Sequence, residues 1–504
     1  MKSGMSLDGR RHVAVVVPQN RAWTWHRRLI SALQADFDVD VYATPHAPSY
    51  PLSLRLWMRF EAQLLEECDL VKTTTILVKP WSDMASDPYS LVLNLSEVPV
   101  QAASTPILEP RFEGSTDSTS LLACLLARKN PYLSICLAGK AEPIIASYLA
   151  IENRSELIRA LQLCFARLLA LTERAIYHLS KSTQPAVPSR PVSADQTFTN
   201  VQVSRFAFRF FLAKALNRIT GELRRHEHWS VGILWSDKWE IPNGIPLRKF
   251  VAVSDDRRRY YADPFVFSYE GQKWLFVEEF DYQAGKGIIS CMPVTAGHEP
   301  TGPQPILVRP YHLSYPFVFR HDEAIYMLPE TGGNRTVELY RARSFPFDWA
   351  LHQVLIQGIN VYDATLLRHE ERWWMFAAIA HRDGSTQDEL GIFYSEHLEG
   401  PWQAHELNPV KSDCRSSRPA GQFVKYGDRL LRPAQDCEGG YGSALVWLEI
   451  EELTTGRFKE REIARWPGSA ALADGIHTFN FDQGLGAIDR RRAIWKSPLR
   501  SSRR

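Results

Sequence analysis

Tyr261-Ala262-Asp263-Pro264-Phe265-Val266-Phe267, a polar turn at Glu270-Gly271-Gln272, and Lys273-Trp274-Leu275-Phe276-Val277-Glu278-Glu279 make one strand–turn–strand unit. The unit recurs. Ser314-Tyr315-Pro316-Phe317-Val318-Phe319 turns at Asp322-Glu323-Ala324 into Ile325-Tyr326-Met327-Leu328-Pro329-Glu330. Tyr362-Asp363-Ala364-Thr365-Leu366-Leu367 turns at Glu370-Glu371-Arg372 into Trp373-Trp374-Met375-Phe376. Ser417-Arg418-Pro419-Ala420-Gly421-Gln422-Phe423 turns at Gly427-Asp428-Arg429 into Leu430-Leu431-Arg432-Pro433, and a degraded fifth copy starts at Gly475-Ile476-His477-Thr478-Phe479-Asn480-Phe481. A spacing of roughly 50–60 residues is the size of a four-stranded propeller blade. Further strands fit at 287–292, 337–341, 391–395 and 444–450. Five units predict an all-β five-bladed β-propeller over 229–495.

Each inner strand then aims its first residues at a central funnel. That places Asp263, Tyr315, Asp363, Arg418 and His477 around one axis, with Glu278 and Glu279, Glu330, Gln435 and Asp436 closing the second strands. Opposed carboxylates are what glycosyl chemistry needs: a protonated one serves the leaving oxygen, and an ionised one acts as base or nucleophile. The plainer role for such residues is to satisfy turns and inter-blade hydrogen bonds. Trp274, Trp373 and Trp374 offer flat faces for a sugar, against the plainer role of filling space between blades.

Upstream, 180–199 is rich in Ser, Pro and Thr and reads as a linker. Residues 201–225 read as a basic amphipathic helix, with Phe206, Phe208, Phe210, Phe211, Leu212, Leu216 and Ile219 among Arg205, Arg209, Lys214, Arg218, Arg224 and Arg225. Such a helix docks one domain on another, or lies on an anionic membrane surface. The segment 181–228 is therefore taken as linker plus helix. Before it, 1–180 alternates strand and helix: a Val-rich run at 12–18, helical spacing through Leu29, Ile30, Leu33 and Phe37, strands at 39–42, 91–95 and 133–137, and a long helix at 155–179. This order predicts an α/β, Rossmann-like domain with a parallel sheet. The turn Pro18-Gln19-Asn20-Arg21 carries neither a dinucleotide nor a P-loop fingerprint, so no cofactor is expected.

The 504 residues hold 59 Lys+Arg and 57 Asp+Glu, a near balance that argues against a nucleic-acid partner. The seven cysteines are scattered, with no CxxC pair, so neither a zinc site nor another metal centre is expected. No apolar run reaches the roughly 20 residues of a membrane span, and the first strand is a poor signal peptide. The expected location is the cytoplasm, with peripheral contact at the inner face of the membrane. Eleven of the fifteen tryptophans lie from Trp229 onward, which marks the second region as chemically distinct.

Two resemblances add to this reading. The first domain is similar in segment order to formyltransferase-type domains. That chemistry needs an Asn-x-His-x-Ser stretch, and Asn94-Leu95-Ser96 lacks the histidine, so the resemblance implies a catalytically degenerate scaffold. The ADPFVF, YPFVF, MLPE, YDATLL and SRPAGQF…RPAQD segments resemble the propeller domain at the N-terminus of plant glucosamine inositolphosphorylceramide transferases and its bacterial relatives. That architecture is similar to the furanosidase propellers of arabinofuranosidases, xylosidases and invertases. The resemblance implies a base at Asp263 and an orienting carboxylate at Asp363. The acid falls to Glu330, one blade early, or to Glu438. Arg418 stands where a glutamate motif is expected, which with Arg432 and His477 suits a phosphate or carboxylate on the substrate.

The expectation is thus a carbohydrate-active protein that acts on or transfers a glycosyl group in surface polysaccharide or glycolipid biosynthesis. Asp263, Asp363 and Glu330 are the candidate catalytic residues; Tyr315, Arg418, His477, Glu279 and Asp436 are the candidate substrate-binding ones. Two alternatives stand beside it: a glycan-binding module without turnover, and a formyl- or acyltransferase working through the first domain.

Overall fold

The computed structural model describes residues 12–495 except 20–21, 46–49, 66–67, 81–83, 85–88, 102–104, 182, 184, 191–196, 222–223, 242–243, 301, 381–383 and 468–474. Parts of the linker and the side chains of Ile219, Arg224 and Arg225 lie outside the described residues. The chain divides into two compact units, 1–213 with 382–384, and 214–381 with 385–504.

The first unit is built on a seven-stranded mixed sheet. Its strands are β1 (His12–Pro18), β2 (Asp38–Thr44), β3 (Lys79–Pro80), β4 (Leu91–Asn94), β5 (Ile107–Phe112), β6 (Tyr132–Leu137) and β7 (Pro143–Tyr148), in the order β3-β2-β1-β4-β5-β6-β7. β1 pairs in parallel with β2 and β4, and β4 with β5, whereas β5–β6 and β6–β7 are antiparallel. The Val-rich β1 is buried on both faces, as a central parallel strand must be. The helices are α1 (Thr24–Leu33), α2 (Leu52–Leu64), α3 (Ser118–Leu126), α4 (Leu157–Lys181) and α5 (Asn200–Gly221). Asp117 caps α3 by accepting the Thr119 amide at 2.7 Å. Leu161, Cys164, Leu168 and Leu171 of α4 recur at helical spacing and enter one core with Leu29, Leu93 and Leu133. The expected helix through 225 ends earlier: α5 stops at Gly221, and Arg224 already belongs to a strand.

The second unit is a five-bladed propeller. Strand β8 (Arg224–Trp235) and β9 (Val251–Ala252) come first. Blade one holds β10 (Arg259–Tyr269), β11 (Gln272–Asp281), β12 (Lys286–Val294) and β13 (Gln304–Leu307). Blade two holds β14 (Ser314–His321), β15 (Ala324–Glu330), β16 (Thr336–Ser344) and β17 (Asp348–Gln357). Blade three holds β18 (Asn360–His369), β19 (Arg372–Ala380), β20 (Glu389–Ser395) and β21 (Gln403–Ala404), with β22 (Lys411–Ser412) beside β20. Blade four holds β23 (Val424–Tyr426), β24 (Arg429–Asp436), β25 (Ala444–Leu453) and β26 (Phe458–Pro467). In blade five, β27 (Phe479–Asp482) and β28 (Leu485–Trp495) continue into β8 and β9, giving the order β27-β28-β8-β9. The last blade is therefore completed by the first strands of the unit. Its start at 224 rather than 229 follows from that closure.

The tryptophans fill space between strands. Trp274 meets Phe345 and Phe347, Trp373 meets Phe319, and the buried Trp374 packs near Tyr394. All seven cysteines are buried, and none is in a disulfide.

Candidate active site

The first three inner strands share one irregularity. Their pairing slips by one residue between Ala262 and Phe265, between Ser314 and Phe317, and between Tyr362 and Thr365. The residue inside each bulge has a left-handed backbone: Asp263 at φ +48°, Tyr315 at +46° and Asp363 at +52°. A non-glycine residue in that region is uncommon and costs about 1–3 kcal/mol. Three at one repeat position mean the bulge is built to re-aim three side chains toward the axis.

Those side chains enter a continuous buried network. Asp489 of β28 accepts the amides of His477 and Thr478 on one oxygen, each at 3.0 Å, and that of Asp263 on the other at 3.1 Å. Asp263 in turn accepts the Tyr315 amide at 3.2 Å and the Thr478 hydroxyl at 2.7 Å. Tyr315 Oη accepts the Gly421 amide at 2.7 Å and lies 2.8 Å from Thr365 Oγ1. Asp363 receives Arg418 Nε at 2.6 Å, Arg418 Nη2 at 3.3 Å and Gln435 Nε2 at 3.0 Å. Each of the five blades thus contributes to one chain of hydrogen bonds around the axis.

The charges do not balance within that chain. Burial pushes Asp263 up to about 6, against the lowering pull of His477, with Asp363 and Asp489 adding to the rise. Burial raises Glu330 well above the carboxylate range, and the neighbouring Asp363 raises it further; Arg418, 3.6 Å away, pulls the other way. Glu278 rises for the same reasons, burial first and then Asp263 and Glu330. Burial alone would lower His477, but the carboxylates of Asp489, at 2.8 Å from Nδ1, and Asp263, at 3.3 Å, hold it above its ordinary value. Glu278 Oε1, Glu330 Oε2 and Gln435 Oε1 are buried without a hydrogen-bond partner. Carboxyls pushed upward by burial thus stand beside the Arg418 guanidinium and the His477 imidazole, an arrangement by which a site separates acid from base.

Sequence reasoning places six of its eight candidates here: Asp263, Tyr315, Asp363, Glu330, Arg418 and His477 all meet in this network. Glu279 and Asp436 do not, and the funnel position expected for them is corrected. The register pairs Ala262 with Glu278 and Ser314 with Glu330, so Glu278 is the blade-one counterpart of Glu330. Alternation then turns Glu279 to the opposite face, where Ser290 Oγ donates to it at 2.7 Å and Arg259 pairs with it at 2.6 Å. Likewise Gln435 reaches Asp363, whereas Asp436 pairs with Arg465 and accepts the Glu438 amide at 2.8 Å. Arg432 is held by Glu460 at 2.8 Å. Glu438 contributes its amide to that turn.

Asp489, Thr478 and Tyr441 were missed. Asp489 sits in a run of charges, Asp489-Arg490-Arg491-Arg492, that reads as exposed, yet it is fully buried. Tyr441 and Trp229 form an aromatic wall: the Arg418 guanidinium lies 4.9 Å from the Tyr441 ring, and the His477 ring lies 3.8 Å from Trp229 and 5.1 Å from Tyr441. Asp263, His477 and Asp489 bring one ligand-type atom each within 4.8 Å, a grouping that could hold a metal ion. Every carboxylate oxygen of that group already accepts an amide or hydroxyl, so the residues fit a hydrogen-bonded imidazole better than a cation.

Residues 222–471 match the family model described as glucosamine inositolphosphorylceramide transferase 1, N-terminal. This stretch of the chain belongs to that family. The rice (Oryza sativa subsp. japonica) glucosamine inositolphosphorylceramide transferase 1 is 33% identical over 231 residues, covering 45% of this chain and 31% of the relative. The Arabidopsis thaliana protein of the same name is 29% identical over 260 residues, covering 47% and 34%. The chain spans about a third of the length of these relatives. Among solved structures, a family 117 glycoside hydrolase from Zobellia galactanivorans aligns at 11% identity and TM-score 0.35, covering 54% of this chain and 91% of that one. A GH43_1 enzyme from Xanthomonas citri complexed with xylotriose aligns at 10% identity and TM-score 0.36, covering 48% and 88%. The assignment of five blades rests on the strand order itself.

Proposed function

We propose that the propeller is a carbohydrate-active domain that acts on or transfers a glycosyl group during glycoconjugate assembly. The observation that supports this most is the axial cluster, where three bulged residues at one repeat position meet two buried glutamates and an arginine. Glu330 is assigned as the proton donor to the leaving oxygen. Burial and the neighbouring Asp363 push its carboxyl upward, which favours the proton-bearing form, and one of its oxygens makes no hydrogen bond inside the protein, with Arg418 3.6 Å from it. Asp263, poised near 6, is assigned as base or nucleophile. Asp363, gripped by Arg418 and Gln435, orients Glu330 and keeps its proton in place. Tyr441, Trp229 and Arg418 supply an aromatic and cationic wall suited to a sugar that carries an anionic group. The name of the plant relatives points to a glycolipid with a phosphorylated headgroup as the substrate class.

The test is glycoside turnover by the full chain on a panel of nitrophenyl glycosides. Asp263→Asn is expected to abolish turnover while leaving the melting temperature near that of the parent. The amide oxygen can still accept the Tyr315 N–H, and the amide NH2 can donate to the Thr478 hydroxyl, which reverses its role. Undiminished turnover in that variant would remove Asp263 from the chemistry. If the protein instead binds sugar equally well before and after the substitution, and no product forms with the parent, the binding-module reading replaces the catalytic one.

The first unit is read as a scaffold. The Asn94 side chain is consumed locally: it donates to Val98 O at 2.9 Å and accepts from the Ser96 amide and hydroxyl at 3.1 and 2.7 Å. His26 is buried and pushed down to about 3 by that burial. Neither is arranged for formyl transfer. We assign the chain to the cytoplasmic face of a membrane, where a lipid-linked acceptor is presented.

A further inference from the structure

Helix α2 has two faces of opposite use. Leu54, Trp57 and Glu61 are buried. Leu52, Leu56, Phe60 and Leu64, spaced by four, form an exposed apolar stripe along its length. Helix α5 buries Val203, Phe206 and Phe210 and leaves Val201, Phe208, Phe211 and Leu212 exposed.

The two helices lie side by side and run the same way. Ser53 Oγ donates to Asn200 Oδ1 at 2.6 Å near their starts. The Trp57 ring lies 5.3 Å from Phe210, and the Phe60 ring 5.6 Å from Phe211. Because Phe60 and Phe211 are both part-exposed and touch, the two stripes join into one face. Eight roughly half-exposed side chains of this size leave about 600–800 Å² of apolar surface. The largest patch on an ordinary monomer is about 300–600 Å².

The charge on these helices has one sign. Arg55 and Arg59 of α2 and Arg205 and Arg209 of α5 are exposed. The single acid of α2, Glu61, is buried, and α5 contains no acidic residue. Bulky apolar side chains on two helices whose exposed charges are all basic match an interfacial, anionic lipid surface. A protein partner would be met by mixed charge. No helix among the described residues is long and apolar enough to cross a membrane, so the contact is one that lies on the surface.

We infer that α2 and α5 together form a docking face for an anionic lipid bilayer, with the leucine and phenylalanine stripes entering the headgroup boundary and the four arginines meeting lipid phosphates. This does not depend on the chemistry of the propeller. It differs from the single-helix expectation, because half of the apolar surface comes from α2.

The experiment is flotation of the full chain with vesicles of phosphatidylcholine alone and of phosphatidylcholine with phosphatidylglycerol. The protein is expected to float with the second and, at physiological salt, not with the first. Leu56→Glu with Phe208→Glu changes side chains that are 54% and 67% exposed, so the fold should be kept while flotation is lost. Arg205→Ala with Arg209→Ala should weaken binding about thirtyfold and flatten its salt dependence. Failure of the parent to float, or undiminished flotation of Leu56→Glu/Phe208→Glu, would overturn the inference. So would a concentration-dependent dimer in the parent that this variant abolishes, which would make the face a protein interface.

Discussion

Removing Arg418 gives the sharpest test of how the axial cluster is held together. The guanidinium makes two hydrogen bonds to Asp363, at 2.6 and 3.3 Å, and a third to Thr386 Oγ1 at 3.3 Å. Arg418 is 8% exposed and Asp363 is 2% exposed, so solvent screens neither. Arg418→Met keeps much of the volume but takes the guanidinium away from Asp363, with Gln435 still donating. Breaking a buried pair from one side costs about 3–5 kcal/mol, because an uncompensated charge stays behind. At about 2–4 °C per kcal/mol for a unit of this size, the propeller should melt roughly 6–20 °C lower. Tryptophan fluorescence reads this selectively, since eleven of the fifteen tryptophans lie from Trp229 onward. The double variant Arg418→Met/Asp363→Asn should recover most of the loss, because the neutral amide needs no counter-charge. A single variant that melts with the parent, or a double variant no better than the single, would refute the claim that the pair is a buried, mutually dependent unit.

Three further outcomes follow from the same geometry. Gly421 sits at φ +134°, and a Cβ there would lie 2.2 Å from Phe479 O, so Gly421→Ala should cost at least about 2 kcal/mol in thermal or urea unfolding. Burial alone would raise Glu460, but Arg432 and Lys411 outweigh it and hold the carboxyl down at about 2. Its contribution is therefore present above about 4.5, its ordinary value, and lost as pH falls toward 2; Glu460→Gln should flatten that acid limb. Asp263 and Asp436, both pushed up to about 6, act with the opposite sign: the folded state holds their protons more tightly, so their stabilising share is present at low pH and is lost as pH rises through about 4 to 6. Asp263→Asn should remove the Asp263 part of that loss in a pH series of unfolding curves.

Much of the propeller was legible because a repeat leaves its period in the sequence. The inner hairpins, the turns and six of the eight candidate site residues follow from it. The error at Glu279 has a specific cause. A one-residue bulge in β10 changes which strand residue faces the axis, and a run of two glutamates gives no sign of which one turns inward. Asp436 fails without any slip in the register of β24: alternation along that strand turns Gln435 toward Asp363 and Asp436 toward Arg465. Asp489 was hidden because three arginines follow it, and a charge run reads as solvated. The strand at Arg224–Trp235 was hidden in a different way: its partner β28 is about 260 residues away, and no local pattern reports that pairing. The stripe on α2 went unread because leucines at a spacing of four predict a buried face, and only the fold shows that Trp57 claims that role instead.

The central claim is that neutral Glu330 delivers a proton in a glycosyl reaction. The most direct measurement is the pH profile of turnover for the parent and for Glu330→Gln on two glycosides of the same sugar, one with an alkyl alcohol and one with nitrophenol as leaving group. The account predicts a profile whose alkaline limb belongs to Glu330. In Glu330→Gln, turnover should fall by about 10²–10⁴-fold for poor leaving groups, with the alkaline limb gone and the melting temperature kept. Turnover and pH dependence unchanged by Glu330→Gln would contradict it.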